Sequence, residues 1–208
     1  MPDGNTEIRK GRKFNQVVEG ATEIFMTEGY ERASVDEIAR RAGVSKATLY
    51  SYFPDKRLLF VEVMKRECEG RAKAAEAFID KAAPPDIVLP VAGRIMVDIF
   101  LSEFGQQTYR MSIGESGKFR ELGQRFFDAG PGLIERELVP YFEEAEERGE
   151  LKIEDKILAA HQFAELCKSH IFPLTMLQIR DEIPAEERDY VVTEAVKMFM
   201  ARYGTTGA

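Results

Sequence analysis

Cysteine is scarce in this chain of 208 residues. Cys68 and Cys167 stand about a hundred positions apart with no Cys-x-x-Cys pair, so neither a disulfide framework nor a zinc knuckle is encoded. Long apolar runs are missing as well. No stretch approaches the ~18 uninterrupted apolar residues of a membrane span, and the polar start Met1 to Lys13 has no apolar core like that of a secretory signal. A cytoplasmic protein with no membrane partner is the expectation. Catalytic signatures are also lacking: Gly114-Glu115-Ser116-Gly117 does not have the spacing of a nucleophile elbow, and no Gly-rich phosphate loop or metal cluster occurs. The reading is therefore no enzyme, no cofactor and no metal. His161 and Glu165 are four apart on one helix, but a third clustered ligand is missing, and a solvated histidine explains the pair better.

Net positive charge is lacking too, at −7 overall with a pI near 5.1, which at first argues against nucleic acid. The average hides an asymmetry. Residues 1–57 hold ten basic against nine acidic side chains, a balance of +1, so the remainder carries −8. The bases concentrate in Arg9, Lys10, Arg12, Lys13 and Lys46, with Lys56 and Arg57 beyond. An acidic body with a locally basic end suits a protein that offers DNA one face.

What the sequence does contain is helix after helix. Phe14, Val17, Val18, Ala21, Ile24 and Phe25 keep the spacing of a helix that buries one stripe, and Gly29 supplies a left-handed stop. Ser34-Val35-Asp36-Glu37 has the form of a capping box, with the Glu37 carboxylate expected to reach back to the N–H of Ser34. It opens a short helix to about Ala42. Gly43 ends that helix, and Ser45 caps another from Lys46 to Phe53. Two short helices joined by so brief a turn must cross steeply, as a helix-turn-helix does.

Asp55 then starts a helix expected to run to about Ala83, where Pro84-Pro85 stops it. Further helices are expected over Ile87 to Phe104, Gln106 to Ile113, Lys118 to Asp128, Pro131 to Arg148, Ile153 to Arg180 and Ala185 to Tyr203. No alternating β pattern longer than four residues occurs. The expected fold class is all-α, with a helix-turn-helix DNA-binding domain at 1–57 and a helical effector-binding and dimerisation domain at 58–208.

In a helix-turn-helix the second helix enters the major groove with its first residues at base edges. Lys46, Ala47, Thr48 and Ser51 take those places, while Leu49 and Phe53 face the core. Lys46 can donate to guanine, and the methyls of Ala47 and Thr48 can meet a thymine methyl. Tyr50, Tyr52 and Lys56 lie at the flanks toward phosphates, and the arm from Arg9 and Lys10 to Lys13 adds backbone or minor-groove contacts.

These residues resemble the DNA-binding domain of the tetracycline-repressor (TetR) family. Ala21, Phe25, Gly29, Tyr30, the cap from Ser34, Ile38, Ala39, Gly43-Val44-Ser45, Leu49-Tyr50, Tyr52-Phe53, Lys56 and Leu59 carry the resemblance in a single register of about fifty residues. It implies phosphate contacts from Thr48, Tyr50, Tyr52 and Lys56, and base contacts among Lys46, Ala47 and Ser51. The segment from Met111 through Gly149 is similar to the sensor domains of an AefR-like subgroup.

That second resemblance implies a homodimer through the last two long helices and a cavity for a small-molecule effector. The chain would then be a repressor that binds double-stranded operator DNA. Met96, Phe100, Phe104, Tyr109, Met111, Phe126 and Phe127 offer an apolar lining, with Arg110, Gln107 and Tyr109 as polar anchors. Each of them also suits ordinary core packing. An effector-independent DNA-binding regulator with a purely structural dimerisation domain is the alternative.

Overall fold

The computed structural model describes residues 11–76 and 82–205, and the described residues form eleven helices and no strand. Helix α1 (Arg12–Arg32) buries Phe14, Val17, Val18, Ala21, Ile24 and Phe25, the stripe its spacing demands. Gly29, at φ +75°, bends the helix, and the chain continues for a last turn to Arg32. Helix α2 (Val35–Arg41) begins at Ser34, whose Oγ accepts from the Glu37 N–H at 3.1 Å. The other half of the expected capping box is not formed, because the Glu37 carboxylate pairs with Arg40 at 2.8 Å. An exposed ion pair one turn along the helix outcompetes the reach back.

Helix α3 (Lys46–Tyr52) is capped in the same manner by Ser45, which accepts from the Thr48 N–H at 3.1 Å. Leu49 and Phe53 are fully buried, and the Phe53 ring stacks on Phe14 at 5.2 Å. Helix α1 and the end of α2 approach closely at Gly20. A Cβ on Gly20 would stand 2.8 Å from the backbone nitrogen of Ala42, so the two helices approach as closely as they do only because that position has no side chain. Gly20→Ala is expected to cost about 1–3 kcal/mol through a backbone shift, read as a lower Tm in thermal unfolding.

Helix α4 (Lys56–Glu76) follows Asp55, whose Oδ1 accepts from the Arg57 N–H at 2.8 Å. Its Leu58, Leu59, Phe60, Val61, Val63, Met64 and Cys68 complete the first hydrophobic core. The expected extension to Ala83 crosses residues 77–81, which lie outside the described residues, and Ala82 and Ala83 belong to a turn and bend.

Helices α5 (Pro85–Leu101), α6 (Glu103–Ser116), α7 (Arg120–Ala129), α8 (Pro131–Glu147), α9 (Lys156–Lys168), α10 (Ile171–Met176) and α11 (Ala185–Tyr203) make up the remainder. Two breaks differ from the expected pattern. Ser102 leaves the helical conformation at ψ 144° and its Oγ caps α6 by accepting from the Gly105 N–H at 3.0 Å, so the apolar run ends there and α6 starts earlier than Gln106. The single helix expected over Ile153 to Arg180 divides at His170, which sits at φ +69°, and its first part begins only at Lys156, capped by Asp155.

The second core gathers Leu89 and Val97 of α5, Phe142 of α8, Phe163 of α9, and Val192 and Phe199 of α11. Phe199 centres it, 5.3 Å from Phe142 and 5.4 Å from Phe163. Helix α7 faces the other way: Leu122 and Ala129 join the first core, against α4.

Candidate nucleic-acid interface and the adjoining cleft

One face of α3 is left to solvent. Lys46, Ala47, Tyr50 and Ser51 are exposed, Thr48 and Tyr52 are half-buried, and Leu49 is buried. The two caps fix this face locally. Thr48 Oγ1 lies 2.8 Å from Ser45 Oγ, Ser51 Oγ donates to the Thr48 carbonyl at 2.7 Å, and Tyr52 packs its edge on Phe14 at 5.8 Å. Lys46 Nζ stands 2.9 Å from Asp36 Oδ1 on α2, a pair that raises the pKa of the lysine and keeps it charged. Ser34 is exposed at the start of α2, and Arg12 and Lys13 are exposed at the start of α1. Arg9 and Lys10 lie outside the described residues.

Lys56 has a different setting from the others. Its Nζ donates to the carbonyls of Tyr30 at 2.7 Å and Ala33 at 3.1 Å, and lies 4.3 Å from the centre of the Tyr30 ring. Burial lowers its pKa against the opposing pull of Glu31 and Asp55. Two of the three ammonium N–H bonds are thus spent on the last turn of α1 and its C-cap.

Beside this unit lies a cleft of about 1210 Å³. The end of α1, the beginning and middle of α4, the α5–α6 junction and α6 form its walls. Of the side chains expected at an effector, Phe104, Arg110 and Met111 line it, together with Gln107. Met96, Phe100, Tyr109, Phe126 and Phe127 do not. Phe100 and Tyr109 pack on Phe172 at 6.1 and 5.1 Å, Phe126 packs on Tyr109 at 5.8 Å, and Met96 lies against the second core. Phe127 is 44% exposed, with His161 6.2 Å from its ring. His161 itself is paired with Glu135 at 2.7 Å, while Glu165 is held by Lys168 at 2.8 Å. Among the described residues no three potential ligands cluster as a metal site would require.

Three ties join α6 to the DNA-binding unit along the cleft. Phe104 meets Phe60 edge-on at 4.7 Å, and Phe60 in turn meets Phe25 at 4.8 Å and Tyr30 at 5.0 Å. Gln107 Oε1 accepts from the Tyr30 N–H at 3.3 Å, while its Nε2 donates to Glu103 at 3.0 Å. The missing side chain of Gly29 makes room for that amide, since a Cβ there would stand 3.3 Å from it. Arg57 holds Asp55 at 2.6 Å and Glu115 at 2.5 Å, and its guanidinium covers the Phe119 ring at 4.5 Å. Hydrogen bonding to Arg57 outweighs burial at Asp55 and lowers that carboxyl's pKa. Tyr30, Arg57, Asp55 and Glu115 were not among the expected site residues: Tyr30 stood out only in the family resemblance, Arg57 as one of the N-terminal bases and Asp55 as the start of a helix.

Sequence and fold comparisons agree with this anatomy. Residues 17–63 match the family model described as bacterial regulatory proteins, tetR family, and residues 88–205 match the AefR-like transcriptional repressor C-terminal domain. The HTH-type transcriptional activator FasR of Mycolicibacterium smegmatis is 42% identical over 67 residues, 32% of this chain, and the chain spans only 30% of that relative's length. A TetR-family transcriptional regulator from Mesorhizobium loti superposes with a TM-score of 0.79 at 25% identity, over 96% of this chain and all of that one. The flavonoid-responsive regulator FrrA gives 0.67 at 29% identity, over 95% of this chain and all of its own. The chain belongs to the TetR family, with a C-terminal domain of the AefR-like branch.

Proposed function

We propose that the protein is a cytoplasmic, homodimeric transcriptional repressor that leaves a near-palindromic operator when a small-molecule effector enters the cleft beside α6. The observation that carries this reading is the position of α6. One helix lines a cavity large enough for a small molecule and also holds the DNA-binding unit through Phe104, Gln107 and Glu115. A ligand that displaces α6 moves the unit carrying α3.

Lys46, Ala47, Thr48 and Ser51 read bases. Tyr50, Tyr52, Ser34 and the basic residues before α1, Arg9 and Lys10 among them, hold phosphates. Phe104, Arg110 and Met111 contact the effector. The resemblance to a flavonoid-responsive regulator and to an AefR-like repressor domain supports effector-released repression over an effector-independent role.

Dimerisation uses the outer faces of α9 and α11. Ile157, Leu158, Tyr190 and Met198 are each more than half exposed there, although the opposite faces of both helices are buried in the second core. Large apolar side chains left in water on two adjacent helices suit a self-complementary interface.

Selection from a random duplex library with the full-length protein tests the reading. The enriched site should carry two inverted half-sites about one helical turn apart or a little more. A single asymmetric half-site, or no enrichment, overturns it. A compound that lowers affinity for that site hundredfold implies a coupling of about 2.7 kcal/mol, and the operator must weaken the compound's binding by the same factor. Equal affinity of the compound for free and DNA-loaded protein would contradict the mechanism.

A further inference from the structure

We propose that the cleft beside α6 takes an amphipathic organic cation; the inference rests on the reading of that cleft as the effector site and supplies the chemistry of its ligand. Six carboxylates and three guanidiniums line the cavity. Arg57 is taken up by Asp55 and Glu115. Glu31 interacts with the Lys56 ammonium, whereas among the described residues Glu28, Glu67 and Glu103 have no basic partner, against Arg32 and Arg110.

The phenol of Tyr30 reports chiefly how dry this wall of the cleft is. Burial foremost, then the carboxylates of Asp55, Glu31 and Glu115, push it up to about 12, with Arg57 opposing.

The rest of the lining suits the organic part of such a molecule. Met26, Met64 and Met111 present flexible thioethers, and Phe104 and Tyr30 present rings. One ring already carries a cation, the Lys56 ammonium on Tyr30. A neutral ligand would strip water from unpaired carboxylates without replacing it, and an anion would meet them directly. The same charge preference reaches the tie to the DNA-binding unit. A cation in the cleft competes with Arg57 for Glu115, and loosening that pair frees one of the three holds on α6. Arg110, expected from sequence to anchor the effector, becomes the group that limits its affinity.

Titration calorimetry of the full-length protein with tetraphenylphosphonium and tetraphenylborate tests the inference, because the two ions share one shape and differ in sign. The phosphonium should bind at least tenfold tighter than the borate. Replacing Glu28 and Glu67 together by glutamine should weaken it about fivefold or more, as two partly solvated charges would. Arg110→Ala should strengthen it, and that variant carries the test with the opposite sign if the double variant melts early. Borate binding as tight as phosphonium, or phosphonium affinity unchanged in both variants, overturns the cationic class; so does the absence of binding by either ion. Met111→Trp, which fills the cleft, tests the site itself. If it leaves the binding of both ions unchanged, the ligand site is elsewhere and the reading beneath the inference falls with it.

Discussion

Phe60→Ala should lower the free energy of unfolding by about 3–5 kcal/mol, the range for removing a buried aromatic ring from a tightly packed site. Phe60 is fully buried, with three rings within about 5 Å of its own: Phe25 at 4.8 Å, Tyr30 at 5.0 Å and Phe104 at 4.7 Å. Those neighbours sit on either side of the Gly29 bend in α1 and on α6, supports that cannot all close in on the cavity left behind. Against a typical domain stability of about 5–15 kcal/mol, such a loss is large. Urea unfolding should show a lower midpoint with little change in slope. Phe104→Ala should cost less, because that ring is only half-buried, yet it removes the same bridge from the side of α6. A loss under about 1.5 kcal/mol for Phe60→Ala would mean that the cluster relaxes around the gap and does not hold α6 rigidly.

Where a structural feature depends on residues close in the chain, the sequence discloses it. The α1 stripe, the caps at Ser34 and Ser45 and the stop of α2 just before Gly43 are local, and each appears where its residues require. The exceptions are informative. Ser102 caps α6 from within a strongly apolar stretch, where continuation of the helix looked more natural than a stop. His170 takes a left-handed conformation with none of the glycine or asparagine signals that announce one. The cleft was legible only from one wall: Phe104, Gln107, Arg110 and Met111 are neighbours on α6, but their counterparts come from far away. Tyr30 and Gln107 are 77 positions apart, Arg57 and Glu115 are 58 apart, and no local periodicity connects such pairs. Lys56 shows the complementary difficulty. Its place in a DNA-binding pattern suggests a phosphate, whereas its bonds to Tyr30 and Ala33 show that the same ammonium can hold the fold.

That second occupation of Lys56 changes the expected response of operator binding to salt. If Arg9 and Lys10 meet phosphate and Lys46 neutralises one further phosphate charge while it reads bases, each protomer contributes about three contacts and a dimer about six, and log K against log salt should slope near −5. Raising salt from about 50 to about 200 mM should then weaken binding roughly a thousandfold. Lys46→Ala removes one such cation per protomer. It should flatten the slope by about two and alter the preferred sequence, since Lys46 stands at the exposed start of α3. Lys56→Ala should leave the slope nearly unchanged and lower Tm instead, because two carbonyls at the end of α1 lose their donor. A flattened slope with an unaltered Tm in that variant would return Lys56 to the phosphates. A wild-type slope flatter than about −2 would reject docking of α3 in the major groove altogether, since too few phosphates would be neutralised for any such approach.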